Sequence, residues 1–148
     1  MKIWIDADAC PRPIKDITLK AALRLQISTI LVANQVLSIP QNPLIKFVRV
    51  DKGFDVADQY IVTHLQPNDL VITADLPLAD QVVAKGALAL NPRGYIYDAE
   101  SIREKLSIRN FMTEMRDAGI VTGGPKTFSA KDKHQFAAAL DRVLCQKR

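Results

Sequence analysis

Along the chain, short apolar runs rich in β-branched residues alternate with stretches in which apolar residues recur every three or four positions. Lys2–Asp6 (Lys-Ile-Trp-Ile-Asp) reads as a short buried strand. Pro11 and Pro13 mark the entry to a helix, since proline is tolerated in a first helical turn. Ile14, Ile17, Leu19, Ala21, Ala22, Leu23 and Leu25 supply its apolar positions. Ser28–Ala33 is a second strand, residues 34–43 a loop broken by Pro40 and Pro43, and Ile45–Val50 a third strand. Asp55 can cap a helix carrying Val56, Ala57, Tyr60, Ile61 and Leu65 at helical spacing. After the turn Pro67-Asn68-Asp69 come a fourth strand, Leu70–Thr73, and a helix, Pro77–Lys85, ended by Gly86. Ala87–Leu90 is a fifth strand, and Asn91-Pro92-Arg93-Gly94 a turn. The alternation predicts an α/β fold: a mostly parallel five-stranded sheet with helices on both faces.

Beyond Tyr97 the pattern changes. Residues 99–118 read as one long helix charged on one side, and residues 119–127 as a loop containing Gly123-Gly124-Pro125. Ser129 opens a last helix in a capping-box-like pattern with Asp132. Phe136, Ala137, Leu140, Val143 and Leu144 form its core face. A single domain over 1–148 is expected, with an α/β core to about residue 98 and a helical extension packed on it.

Composition narrows the class. Apolar residues make up 48% of the 148 and charged residues 24%, the profile of a folded domain. No apolar run approaches the roughly 18–20 residues of a membrane span. Only three apolar residues separate Lys2 from Asp6, so no signal peptide is expected and the cytoplasm is the expected compartment. Cys10 and Cys145 read as reduced thiols, with Cys10, beside an acidic motif, the one a reactive reading would choose. Neither has a neighbouring Cys or a suitably spaced His, which argues against zinc.

Charge is distributed unevenly. Residues 1–100 carry ten Lys/Arg and eleven Asp/Glu, residues 101–148 ten and five, for a net charge of +4. A basic tail beside an acidic core suits a polyanionic partner, nucleic acid being the candidate; an ordinary solvated helix face explains the same counts.

The acids themselves carry the chemistry. Asp6 and Asp8 end the first strand and Asp75 follows the fourth, and in open α/β sheets ligands bind beyond the carboxyl ends of strands. Asp55 and Asp58 start the next helix after Lys52-Gly53, and Asp80 lies in the helix after Asp75. Converging carboxylates repel unless a cation neutralises them or a proton is shared. Oxygen-only ligands suit Mg²⁺ or Mn²⁺, which activate water and polarise phosphoryl oxygens. Each acid has a plainer explanation too: Asp55 as an N-cap, Asp58 and Asp80 as first-turn acids favoured by the helix dipole, Asp8 as a turn residue. Only His64 and His134 are present, and neither lies in a motif.

Five strings occur in order: Ile5-Asp-Ala-Asp-Ala-Cys-Pro11, Gly53-Phe-Asp-Val-Ala-Asp58, Val71-Ile-Thr-Ala-Asp-Leu-Pro-Leu-Ala79, Ala89-Leu-Asn-Pro-Arg-Gly94 and Gly123-Gly-Pro125. Together they resemble the bacterial YaiI/YqxD-type family, which is similar to the PIN and NYN group of metal-dependent nucleases. The resemblance implies a Rossmann-like or PIN-like sheet with an acidic metal site; a Mg²⁺- or Mn²⁺-dependent nuclease acting on RNA is the first functional expectation. By motif, Asp6 looks like the strand-1 acid of that group, Asp55 its mid-chain acid and Asp75 its strand-4 acid. Where those domains commonly place a further acid two residues after the strand-4 Asp, this chain has Pro77, and Asp80 is the expected substitute.

On this reading Asp6, Asp55 and Asp75 are catalytic, and Asp8, Asp58 and Asp80 further metal ligands. Asn91, Arg93, Gly123, Gly124 and Lys126 are candidate phosphate contacts. Two other readings stay open. In a haloacid-dehalogenase-type phosphatase Asp6 would be the nucleophile, Asp8 the general acid, Thr73 a phosphate contact, and Asp75 and Asp80 the Mg²⁺ ligands. The alternative is a non-catalytic nucleic-acid-binding module with an eroded metal site. The sequence leaves the oligomeric state open.

Overall fold

The computed structural model describes residues 1–53, 56–104 and 129–146. Five strands, β1 (Ile3–Asp6), β2 (Thr29–Ala33), β3 (Ile45–Arg49), β4 (Leu70–Ile72) and β5 (Leu88–Leu90), form one sheet in the order β3-β2-β1-β4-β5. Every pairing between these strands is parallel. A lone antiparallel bridge, Leu90 to Ile96, adds the chain after β5 to that edge. The helices are α1 (Arg12–Leu25), α2 (Val56–His64), α3 (Leu76–Ala84) and α4 (Ala130–Gln146), and residues 99–104 are also helical. The order is Rossmann-like: the chain works outward from β1 to β3, then crosses back to β4 and works outward on the other side.

Burial explains why these runs become strands. All residues of β1, β2 and β4 are buried, as expected of parallel strands covered on both faces. β3, at an edge, is mostly half-exposed or exposed. Alternation in β1 sends Ile3 and Ile5 to one core and Trp4 to the other. The first core packs α1 and α4 against the sheet through Ile14, Ala22, Phe136, Leu140 and Leu144. The second packs α2, α3 and Ile102 through Ile61, Leu78, Val82 and Tyr97. The last helix therefore belongs to the α/β core, completing the layer that α1 begins.

Two devices fix α4. The capping box forms as read: Asp132 N–H donates to Ser129 Oγ (3.3 Å), and Ser129 N–H donates to Asp132 Oδ2 (2.9 Å). Arg93, from the turn after β5, donates to the same carboxylate at 2.7 Å. That turn closes through Gly94 N–H to Asn91 O (2.8 Å), with Gly94 at φ +99°. A Cβ there would lie 2.5 Å from the backbone carbonyl carbon of Gln135 in α4. The position thus needs glycine twice over, for its left-handed backbone and for the close approach of a helix.

Of the expected elements, residues 105–118 of the long helix and the loop at 119–127 lie outside the described residues, as do Asp55, Gly123, Gly124 and Lys126. Among the described residues, no helix is long and apolar enough to cross a membrane.

Candidate functional site: an acidic concavity at the strand crossover

The strand order reverses between β1 and β4, and the gap beyond their carboxyl ends is where an open α/β sheet offers a ligand crevice. An open concavity of about 250 Å³ lies there. Asp6, Asp8, Asp51, Asp58 and Asp75 all line it, with Asn34, Gly53 and Val56.

Local structure explains how each acid arrives. Asp6 is the last residue of β1, 5% exposed and on the Trp4 side of the strand. Thr73, just past β4, donates its hydroxyl to Asp6 Oδ2 at 3.0 Å, and its Oγ1 accepts from Asp75 N–H at 3.0 Å. One fully buried threonine therefore fixes two of the acids relative to each other. Asp75 caps α3, its Oδ1 accepting from Leu78 N–H at 3.0 Å. Asp8 leaves the strand in the Ala7–Ala9 3-10 turn, and its Oδ2 accepts from Asn34 N–H at 2.8 Å. These bonds engage Oδ2 of Asp6 and Asp8 and Oδ1 of Asp75, leaving the second oxygen of each carboxylate outside them. Asp58 is buried in the first turn of α2.

Electrostatics follow from this crowding. Burial raises the Asp6 carboxyl from 3.8 to about 6; the Thr73 hydrogen bond opposes the shift, and the charges of Asp75 and Asp8 add to it. Burial likewise pushes the Cys10 thiol up to about 12. Cys10 therefore stays protonated at neutral pH and has no thiolate to react with.

The expected residues divide. The concavity brings together Asp6, Asp8, Asp58 and Asp75, and Gly53 and Val56 also line it; Asp55 lies outside the described residues. Asp80 does not line the concavity. It is exposed on α3, whose buried stripe is Leu78, Ala79 and Val82. Asn91 and Arg93 also lie elsewhere. Buried Asn91 donates to the hydroxyls of Tyr95 (2.9 Å) and Tyr97 (2.7 Å), and its Oδ1 accepts from Arg93 N–H (2.7 Å). Arg93 is paired with Asp132. Both brace the turn and α4, away from the acidic concavity.

Two lining residues, Asp51 and Asn34, escaped the sequence reading. Each sits just beyond a strand, Asp51 after β3 and Asn34 after β2, the same signal that singled out Asp6 and Asp75.

The lining offers donors of the chemical type that hard cations take. They are carboxylate and amide oxygens, without sulfur or imidazole. Among the described residues no group of three or more Asp, Glu, His or Cys side chains is placed to hold a metal ion together. Mg²⁺ does not require one: it binds through one or two carboxylates and keeps waters or substrate oxygens in its other positions.

A sequence-family model described as "Uncharacterized BCR, YaiI/YqxD family" matches residues 4–146, nearly the whole chain. The chain belongs to the YaiI/YqxD family. Curated relatives agree. The UPF0178 protein of Shewanella sp. strain ANA-3 is 59% identical over 143 residues, covering 97% of this chain and 95% of its own. That of Marinomonas sp. strain MWYL1 is 55% identical over 147 residues, 99% of each. That of Aeromonas salmonicida is 56% identical over 144 residues, 97% of this chain and 96% of its own. No solved structure matches the chain significantly. The YaiI/YqxD match runs from within β1 to the end of α4, so every residue lining the acidic concavity lies inside it.

Proposed function

We propose that this YaiI/YqxD protein is a Mg²⁺- or Mn²⁺-dependent hydrolase that cleaves phosphodiester bonds, with RNA as substrate. The observation that carries the reading is the gathering of five carboxylates, two of them, Asp6 and Asp58, buried, in an open concavity at the strand crossover. Like charges so placed disfavour one another unless a cation or a proton intervenes.

Asp6 and Asp75 are the central ligands, with Asp8, Asp58 and Asp51 around them and Asp55 beside them in sequence. When bound, the cation supplies Lewis-acid polarisation of the phosphoryl oxygen and a more acidic water. The chain supplies orientation: Thr73 holds Asp6 Oδ2, Leu78 N–H holds Asp75 Oδ1, and Asn34 N–H holds Asp8 Oδ2. Groups fixed in this way lose little freedom when the substrate arrives. The net reaction joins water oxygen to phosphorus as the ester P–O bond breaks, and the leaving oxygen takes the proton. Gly123, Gly124 and Lys126 remain proposed phosphate contacts from the tail.

The phosphatase reading is less well supported. It needs the Thr73 hydroxyl for phosphate, whereas that hydroxyl is fully buried and donates to Asp6. It also leaves Asp51 and Asp58 without a task. The two readings separate in one experiment. The protein is incubated with Mg²⁺ and a phosphate monoester, quenched with borohydride and mapped by mass spectrometry, while a parallel sample receives Mn²⁺ and single-stranded RNA. We expect RNA cleavage, and Asp6 recovered as aspartate. Reduction of Asp6 to homoserine, with monoester turnover intact in Asp58→Asn, would establish the phosphatase instead.

A further inference from the structure

A second concavity, of about 350 Å³, lies between the first turns of α1 and the loop that follows β2. Its floor is apolar, made by Leu19 and Leu31, and its rim carries Arg12, Lys15 and Asp16. Val36, on its loop wall, is 73% exposed, the most exposed large apolar side chain among the described residues. The ion pairs among those residues are Arg24–Asp141 and Arg93–Asp132, so Arg12 and Lys15 belong to neither.

This concavity is coupled to the acidic one at two points. Lys15 Nζ donates to Ala7 O at 3.5 Å, and Ala7 stands between Asp6 and Asp8. Asn34, the first residue of the loop, donates its N–H to Asp8 and lines the acidic concavity.

We propose that this groove holds a nucleotide of single-stranded RNA flanking the scissile phosphate, its phosphate on Arg12 and Lys15 and its base against Val36 and the leucine floor. The proposal rests on the hydrolase reading and names the substrate contact that reading lacks. The chemistry is complementary: guanidinium and ammonium meet phosphate, and an apolar face meets a base whose π-surface is sequence-neutral. Asp16 can accept from a ribose hydroxyl or a base N–H, which inorganic phosphate lacks. A duplex keeps its bases stacked inside and could not use the floor.

Binding and cleavage test it separately. A fluorescein-labelled single-stranded RNA 12-mer is titrated by anisotropy in chelator across a salt series, using full-length protein. Arg12→Ala/Lys15→Ala should weaken binding about tenfold and flatten the salt dependence by roughly 0.7 in logarithmic slope, the value for one phosphate neutralised on a single strand. Val36→Asp should weaken it as well. Lys131→Ala/Lys133→Ala, which removes the same charge from α4, should cost less than threefold. In Mn²⁺ the groove variant should show a raised KM with kcat retained. Equal losses in the two charge variants, no loss in either, or no RNA binding by the wild type would overturn the groove. Groove-dependent binding without any metal-dependent cleavage would sink the hydrolase reading and leave the groove standing. Cleavage whose KM ignores the groove variant would do the reverse.

Discussion

Gly94→Ala should destabilise the protein by about 3–5 kcal/mol, a large share of the roughly 5–15 kcal/mol that holds a domain together. Two costs combine. A non-glycine residue at φ +99° carries backbone strain of the order of 1–3 kcal/mol. The new methyl would also meet Gln135 C at 2.5 Å, Gln135 O at 2.7 Å and Phe136 N at 2.7 Å. These are backbone atoms of α4, so no rotamer change relieves the contact. The helix must shift, disturbing the fully buried Phe136 and the Arg93–Asp132 pair. Thermal melting should fall by roughly 10 °C or more. A change under 2 °C would show that α4 is not held against this turn.

Metal should stabilise the wild type and leave Asp6→Asn/Asp75→Asn unchanged. A cation that binds only the folded state adds about 2.7 kcal/mol at a concentration one hundredfold above its Kd. In chelator the order should reverse, with the double variant more stable at alkaline pH. The reason is the raised carboxyl of Asp6. The folded state holds its proton more tightly than the unfolded chain, so that stabilisation is complete below about pH 4 and is lost as pH rises through about 6. The shift corresponds to about 3 kcal/mol between the two limits. Denaturant unfolding between pH 4 and 8, with chelator or millimolar Mn²⁺, checks both signs. Wild-type stability that is flat with pH in chelator, or an equal Mn²⁺ gain in the double variant, would contradict the crowded-acid account.

The fold was legible because parallel strands buried on both faces read as short continuous apolar runs. Each strand begins and ends within one residue of its expected bounds, as in Thr29–Ala33 against 28–33 and Leu70–Ile72 against 70–73. The ends of those strands also located most of the site, because a carboxylate such as Asp6 at the close of a buried strand needs a partner. Asp80 does not line the concavity: α3 begins at Leu76, and its buried stripe leaves position 80 on the exposed side of the helix. The roles of Asn91 and Arg93 could not be read locally. They depend on Tyr97 and on Asp132, and the second contact spans 39 residues. Asp51 was readable, since it follows β3 as Asp75 follows β4, but it has no motif around it.

The most direct test of the central claim is cleavage of labelled single-stranded RNA by purified protein in Mn²⁺, beside the same reaction in chelator. Asp75→Asn serves as the site variant and Asp80→Asn as an exposed control. The account predicts Mn²⁺-dependent cleavage by the wild type, a loss of about one hundredfold or more in Asp75→Asn, and near wild-type rates in Asp80→Asn. Cleavage that persists in chelator, or that Asp75→Asn leaves intact, would contradict it, as would a folded wild type that binds Mn²⁺ and cleaves nothing.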